Sequence, residues 1–521
     1  MAAIAAIRIL GRLRVMNGRR FLAFIALLML CSSGCEVGPN YQRPKTRLPD
    51  HFSPAEQAAT QPQAATQPAA ADLARWWLTF HDPLLNKLVE RAISANYNVQ
   101  LAEARVWQAR AQLDYAWAAL FPIGSVLGSY QRIRTSSNLS SASVTSTSGT
   151  SGGPPVVFTS GTTNFYQAGF DAAWELDIFG GSRRALEVEQ ASLQAQIEAR
   201  RDVLITLISE VADDYVVLRG YQWQLEIARE NSEAQRHTLK LQQMKLDAGL
   251  ATALTIAQAE SQLASTESSI PPLQTMTEQM VQNLAVMLNM PVEELRKELG
   301  PGGPVPVAAD VIPPGLPSDL LRRRPDIRQA ERQLAAASAS IGVATAQLFP
   351  QFNLTGSLGV ESTRLKTLFE GTSLFGAAGP SVTWNIFDAE QIIANIHIQN
   401  ALEKQALVQY RQSVIQALAD VNTALTAFNR EQAHRQLLQT AVEADRRSVD
   451  LSQRLYDAGV VDFLNVLTAQ QSLYVSQEQL AQSEQTVSTD LIALYKALGG
   501  GWEASDEDAA KAGDASLRAD K

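Results

Sequence analysis

The one place where residue spacing spells out covalent chemistry lies near the start of the chain. Arg19-Arg20 precede ten apolar residues, Phe21 to Leu30, and Cys31-Ser32-Ser33-Gly34-Cys35 follows. Ten apolar residues are too few to span a bilayer as a helix but suit the core of an export signal. Small residues before a cysteine suit cleavage by a lipoprotein signal peptidase and attachment of diacylglycerol to the Cys35 thiol. Such an anchor holds a protein to a membrane without making it span. Ser32 departs from the aliphatic residue usual at that place. Glu36, rather than aspartate, follows the cysteine, and by the bacterial sorting rule this sends a lipoprotein to the outer membrane. Met16 to Cys35 alone forms a well-proportioned signal, so Met16 is an alternative start.

Elsewhere the reactive residue types are scattered. Both cysteines, Cys31 and Cys35, fall in the signal region, so no disulfide framework or cysteine metal site is expected. The histidines, His51, His81, His237, His397 and His434, have no partner at metal-ligand spacing. There is no nucleophile elbow, phosphate-binding loop or zinc signature. A net charge of −9 with 19% charged residues carries no basic footprint for nucleic acid. The sequence therefore predicts neither an enzyme nor a cofactor beyond the covalent lipid at Cys35.

What the chain does show is repetition. Leu120-Phe121-Pro122 recurs as Leu348-Phe349-Pro350, Trp174 with Ile178-Phe179 as Trp384 with Ile386-Phe387, and Asp247-Ala248-Gly249 as Asp457-Ala458-Gly459. The copies lie roughly 200 residues apart and in the same order, the mark of a duplicated scaffold. The first copy carries an extra Ser/Thr/Gly-rich run, Thr135 to Thr163. The stretch from Ser182 to Leu246 has no proline and is interrupted only by Gly220; its counterpart, Ala389 to Asp457, has neither proline nor glycine. A helix of that length would run about 100 Å if continuous. Leu407, Tyr410, Val414, Leu418, Val421, Leu425 and Phe428 step by three or four, and Leu473, Leu480, Val487, Leu491 and Leu494 keep the same spacing, as in helices packed lengthwise. Gly249 and Gly459 sit where each long helix must end. Pro271-Pro272 breaks the first returning helix but has no counterpart in the second.

Between the helices lie four segments of period two. Tyr166, Ala168, Phe170, Ala172, Trp174 and Leu176 form an apolar face, as do Phe352, Leu354, Gly356, Leu358 and Val360. Val382, Trp384 and Ile386 suggest a further strand, and Ile123 to Arg132 is a less regular one with Val126 and Tyr130 outward. An apolar face opposite a small polar one is the pattern of transmembrane β-strands. Four strands cannot close a barrel, so the chain must associate, with two copies giving eight strands and three giving twelve. The boundaries that follow are a signal peptide at 1–34, a lipidated tether at 35–72, repeats at 73–299 and 317–500, a linker at 300–316, and a disordered tail at 501–521.

Cys35-Glu36-Val37-Gly38-Pro39-Asn40-Tyr41, Trp76-Trp77 with Phe80 and Asp82-Pro83, and Leu321-Arg322-Arg323-Arg324-Pro325-Asp326-Ile327 with Ala330-Glu331 resemble the outer-membrane efflux lipoproteins. These are TolC-like channels of the OprM and NodT type. The resemblance implies an α+β membrane protein in which three duplicated chains each give four transmembrane strands to a twelve-stranded barrel, continued by a long helical periplasmic barrel. It implies a homotrimer in the Gram-negative outer membrane, a periplasmic membrane-fusion adaptor and an inner-membrane RND-type pump. Thr135–Thr163 and Glu361–Phe375 become outward loops. The periplasmic tip, which docks the adaptor, falls on Gly249, Leu250, Ala251, Thr252, Tyr456, Gly459, Val460 and Val461. Acidic aperture rings of several relatives correspond here to Asn465 and Thr468, so closure is expected to rely on Asp462 and apolar neighbours such as Phe463. Arg322-Arg323-Arg324 is expected to cap structure, and Trp76-Trp77 to pack. The alternative is a non-conducting coiled-coil structural lipoprotein of the envelope, against which the alternating strands argue.

Overall fold

In the computed structural model the described residues are 36–49, 52, 73–135, 161–300, 302–308 and 317–504. The signal segment 1–34 and Cys35 lie outside them, as does most of the run from Thr135 to Thr163. A 3-10 turn at Trp76–Phe80 leads into helices α1 (Pro83–Ala95) and α2 (Tyr97–Ala118), then strands β1 (Ile123–Thr135) and β2 (Gly161–Leu176). Helix α3 (Gly181–Asp247) returns through α4 (Ala253–Ser268), α5 (Ile270–Met287) and α6 (Val292–Leu299). The second half follows with α7 (Pro317–Arg323), α8 (Pro325–Ala346), β3 (Gln351–Ser362), β4 (Leu374–Thr383), α9 (Ala389–Asp457) and α10 (Phe463–Ala497). No helix among the described residues is long and apolar enough to cross a membrane.

The chain divides into two compact units: Met1–Pro44 with Trp107–Gln194 and Glu331–Val408, and Lys45–Val106 with Ala195–Ala330 and Gln409–Lys521. The first holds one antiparallel sheet of order β1-β2-β3-β4, so β1 and β4 are its edges. Opposite residues share a face. Val126, Phe170 and Leu358 line up on one side, and Ser125, Asp171 and Ser357 on the other. The fourth strand ends at Thr383, so of the expected Val382, Trp384 and Ile386 only Val382 belongs to it. Small residues from Gly376 to Pro380 pair with β3 instead, and Pro380 is tolerated because β4 is an edge. The connection between β3 and β4 is correspondingly shorter than the expected loop Glu361–Phe375, since Glu361 lies in β3 and Phe375 in β4.

At the helix-bearing end of the sheet the two sequence copies make the same bonds. Trp174 donates its indole N–H to the Leu120 carbonyl at 2.9 Å, and Trp384 donates to the Leu348 carbonyl at 3.1 Å. Phe179 stacks on Phe349, ring centroids 4.5 Å apart. The segment after Cys35 is held here too, which narrows the expected tether. Arg184, 2% exposed, donates to the Val37 carbonyl at 3.1 Å and to Asn40 at 2.7 Å, and pairs with Glu187 at 2.7 Å and Glu36 at 3.5 Å. Gly38 crosses Gly342 so closely that a Cβ on Gly38 would stand 2.5 Å from the Gly342 Cα. Tyr41 and Arg43 reach the buried Glu331 at 3.3 and 2.9 Å, so two of the sequence motifs meet.

The second unit holds the main apolar core, built on Trp76, Trp77 and Phe80 with Tyr215, Tyr410, Leu491 and Tyr495. Trp76 and Trp77 pack, as expected. Asp82 caps α1 by accepting from the Leu84 amide at 2.8 Å, and its other oxygen accepts from the Tyr215 hydroxyl at 2.7 Å. Burial first, opposed by Arg219 and assisted by Asp82, pushes the Tyr215 phenol up to about 12. Helix α3 runs unbroken through Gly220, where the missing side chain lets α10 approach through Gln485. The break foreseen at Pro271-Pro272 falls at Ser269, with the prolines in the first turn of α5. Trp502 is gripped by Arg201 at 4.3 Å from its ring centroid and donates to the Arg323 carbonyl. Residues 501–504 of the tail expected to be disordered are therefore packed, Ala504 being buried; residues 505–521 lie outside the described ones.

Arg324 ties this unit together. It forms a two-pronged pair with Asp326 at 3.0 and 2.7 Å, reaches Asp420 at 3.1 Å, and donates to the Ala497 carbonyl at the end of α10. Burial opposes its charge, but Asp326 and then Asp420 outweigh burial and hold the guanidinium above its ordinary value. Replacing Arg324 by Leu leaves two carboxylates uncompensated and is expected to cost about 3 kcal/mol, the low end for a broken buried pair because Asp326 and Asp420 are each about one-third exposed, measured as a lower thermal midpoint of the detergent-solubilised protein. The exposed Arg322→Leu should cost under about 0.5 kcal/mol. Asp214 is pushed up to about 6 by burial, then by Asp213 and Glu210. Its folded value exceeds its unfolded one, so ionising it disfavours the fold above about pH 6, and the penalty vanishes below the unfolded range near 4. Asp214→Asn should therefore raise the midpoint at pH 7.5 and leave it unchanged at pH 4.

Candidate functional site

Two helix-to-helix turns carry the residues singled out at the tip, and their backbones are nearly superimposable in bonding. At the end of α3, Gly249 takes φ 74°, its amide donates to the Leu246 carbonyl at 2.8 Å, and the Leu250 amide donates to Lys245 at 2.8 Å. At the end of α9, Gly459 takes φ 72°, with Gly459 donating to Tyr456 and Val460 to Leu455, both at 2.9 Å. This is the Schellman arrangement, in which glycine alone accepts the left-handed residue without strain. It forces Leu250 and Val460 outward; Leu250 is 76% exposed. Ala251 and Val461 are half-buried and Thr252 is exposed. The Thr252 hydroxyl accepts from the Thr255 amide at 3.3 Å and starts α4, while Asp462 at the equivalent place makes no side-chain cap.

Below these turns the hairpins are joined. Tyr456 donates to the Gln242 amide oxygen at 3.0 Å, its ring lies 4.3 Å from the Lys245 ammonium, and Lys245 approaches Asp457 at 3.7 Å. Tyr456 also contacts Phe463, centroids 5.4 Å apart. Phe463, Val466 and Leu467 form a small buried cluster with Ala259, and Leu239 packs against it. Phe463, at 5% exposure, lies in the contact between hairpins, so any part it has in closure runs through packing rather than through an exposed side chain. Asp462, Asn465 and Thr468 share the exposed side of the same helix and stay available to a partner or a lumen. Asn465 and Thr468 spend part of their capacity on the Asp462 and Leu464 carbonyls.

Gln242, Lys245 and Asp457 were not foreseen. Tyr456 corresponds to Leu246 in the first copy, and Gln242 lies one turn from Leu246 on α3. The repeat therefore held the signal, legible only once the two long helices are known to lie side by side. Among the described residues no cluster of His, Cys, Asp or Glu is arranged to hold a metal ion. Cys35 lies outside the described residues, although Glu36 beyond it is fixed by Arg184.

The sequence model of a family described as outer membrane efflux protein matches residues 88–290 and 316–500. Nodulation protein T of Rhizobium leguminosarum bv. viciae is 32% identical over 486 residues, covering 92% of this chain and 93% of the relative. The pyoverdine export outer membrane protein OpmQ of Pseudomonas aeruginosa is 32% identical over 444 residues, covering 85% of this chain and 90% of its own. Among solved structures, the outer-membrane channel OprN superposes with a TM-score of 0.80 at 33% identity, covering 90% of this chain and all of that one. The open-state MtrE outer membrane channel of Neisseria gonorrhoeae gives a TM-score of 0.76 at 27% identity, covering 90% and 99%. With the family model matching two stretches of the chain and the fold shared over 90% of it, the chain belongs to the outer membrane efflux protein family and is an efflux channel protein of the outer membrane.

Proposed function

We propose that three copies of this chain close one twelve-stranded barrel, and that this channel is the outer-membrane member of a tripartite efflux system with a periplasmic adaptor and an inner-membrane pump. The carrying observation is a contact made once inside the chain and left open once at its edges. Phe179, just after β2, stacks on Phe349, just before β3. Their repeat equivalents are Phe387, just after β4, and Phe121, just before β1. Phe387 is fully exposed and Phe121 is 47% exposed. β4 and β1 are the unpaired edges, and bare strand edges are not tolerated in lipid. Setting β4 of one copy beside β1 of the next pairs both edges and repeats the Phe–Phe stack between chains.

Repeats at 73–299 and 317–500 each give two strands and a helical hairpin, and the paired tryptophan bonds and paired glycine caps support that duplication. A signal at 1–34 and lipidation of Cys35 complete the reading; the role is conduction, with no catalytic step. The tips, Gly249 to Thr252 and Gly459 to Val461, present exposed apolar residues suited to an adaptor's helical hairpins. Tyr456 with Gln242 restrains the tip, and Asp462 supplies the charge near the aperture.

A Phe121→Cys/Phe387→Cys protein is expected to give a ladder ending at a covalent trimer on oxidation, which either single substitution abolishes. A ladder ending at dimer would point to eight strands, and no ladder would remove the barrel. In planar bilayers the wild-type protein should give discrete conductance; a silent bilayer favours the structural lipoprotein. Tyr456→Phe removes a bond of about 1 kcal/mol and should raise the open fraction up to about fivefold, with a smaller rise for Asp462→Ala. A variant that conducts no more than wild type loses that role for its residue.

A further inference from the structure

The charges of the sheet are sorted by face. Asp171, Glu175 and Glu361 are the carboxylates of the four strands, and their partners in register, Ser125, Asn353 and Gln167, place all three on the side away from Phe170 and Leu358. The basic residues of the strands are Arg132 and Arg134. Opposite Asn164 and Thr162, they share the face of Val126, Tyr130, Phe170 and Leu358. Both are exposed, and among the described residues no ion pair engages either one.

Their height is fixed by the chain. All four helix connections, at Ala118, Gly181, Ala346 and Ala389, leave from one end of the sheet, where Ile123, Leu176, Gln351 and Thr383 lie. Arg132 and Arg134 stand at the other end. They follow directly on Tyr130, which pairs with Tyr166 at 4.9 Å between ring centroids and donates to Asn164 at 3.2 Å. Aromatic pairs of this kind sit at the boundary of hydrocarbon and headgroup. Beyond Tyr166 the pairing of β2 with β3 stops at Ser362, so the β1–β2 ribbon carrying the arginines continues past its neighbour. Two arginines two residues apart on a strand stand about 7 Å apart, and each can hold a phosphate with two parallel bonds.

On the barrel reading given above, we propose that Tyr130, Tyr166, Arg132 and Arg134 form a binding site for the phosphorylated headgroup of an outer-leaflet glycolipid. The tyrosines meet the top of the acyl region and the arginines take the phosphates. The segregation is the argument. Solvated arginines placed for solubility would have no reason to avoid the polar face, and a lumen-lining role would have placed them beside Asp171 and Glu361. An anionic surface met from the side requires this face and this height.

The test uses the full-length channel, delipidated in mild detergent and titrated with diphosphorylated lipid A, dephosphorylated lipid A or phosphatidylglycerol, with bound lipid counted by native mass spectrometry. Each arginine near an anionic surface is worth about fivefold in affinity. Arg132→Gln/Arg134→Gln should therefore bind diphosphorylated lipid A roughly twentyfold more weakly, while Arg132→Lys/Arg134→Lys, which keeps the charge but loses the paired bonds, should fall between the two. Wild type should prefer the diphosphorylated form to both other lipids. Equal binding by wild type and the glutamine variant, or by the phosphorylated and dephosphorylated forms, overturns the site. Equal binding of phosphatidylglycerol overturns the glycolipid assignment. Failure of the Phe121→Cys/Phe387→Cys ladder strikes the barrel reading instead, so the two failures are distinguishable.

Discussion

A sheet of four strands has two edges, and every amide and carbonyl along them needs a partner that lipid cannot supply. That requirement governs the rest of the molecule. On the barrel proposed above it makes the chain an incomplete object whose completion is another copy, and it fits the firm finish of the sheet's helix-bearing end. The indole bonds of Trp174 and Trp384 to the carbonyls of Leu120 and Leu348 fix where each strand meets its helix. A slip of one residue would turn Phe170 and Leu358 to the polar side, and these anchors oppose it.

Beside the sheet and within the apolar core, a few desolvated cations join segments far apart in the sequence. Arg184 gathers the residues following Cys35, and Arg324, at the start of α8, gathers the middle of α9 and the end of α10. Neither is a cheap way to hold a fold, because a buried guanidinium is tolerated only when its donors are matched. Their value is geometric: one planar group fixes several backbones at once. The family motifs that stand far apart in the sequence, such as Tyr41 and Glu331, are partners in the same kind of clasp.

Much of this was legible beforehand, for reasons that can be named. The long helices announced themselves by the absence of proline and the steady three-four spacing that buries Tyr410, Val414 and Leu491. Gly249 and Gly459 were legible because a helix reversal needs a left-handed residue. The fourth strand is hard to place from sequence because Val382, Trp384 and Ile386 alternate well, while the body of the strand is Gly, Ala and Pro with no face to display. Gly220 suggested a break, and only the neighbouring helix reveals that the glycine serves close packing. Phe463 reads in the sequence only as apolar and near the tip; its burial against Tyr456 depends on a contact between helices far apart in sequence. Trp502 was hidden in a polar tail, since stacking between Arg201 and Arg328 leaves no periodic trace.

The break at Ser269 has a mechanical consequence. The hairpin of the second copy returns through one continuous helix, α10, whereas that of the first returns through α4 and α5, jointed at Ser269 and steadied there by Tyr474 at 3.0 Å. A helix bends stiffly along its hydrogen-bonded ladder and easily where the ladder is interrupted. In the proposed trimer, stiff ribs would alternate with hinged ones. Compliance would then be uneven around the axis, and strain applied at one end would collect in every second rib.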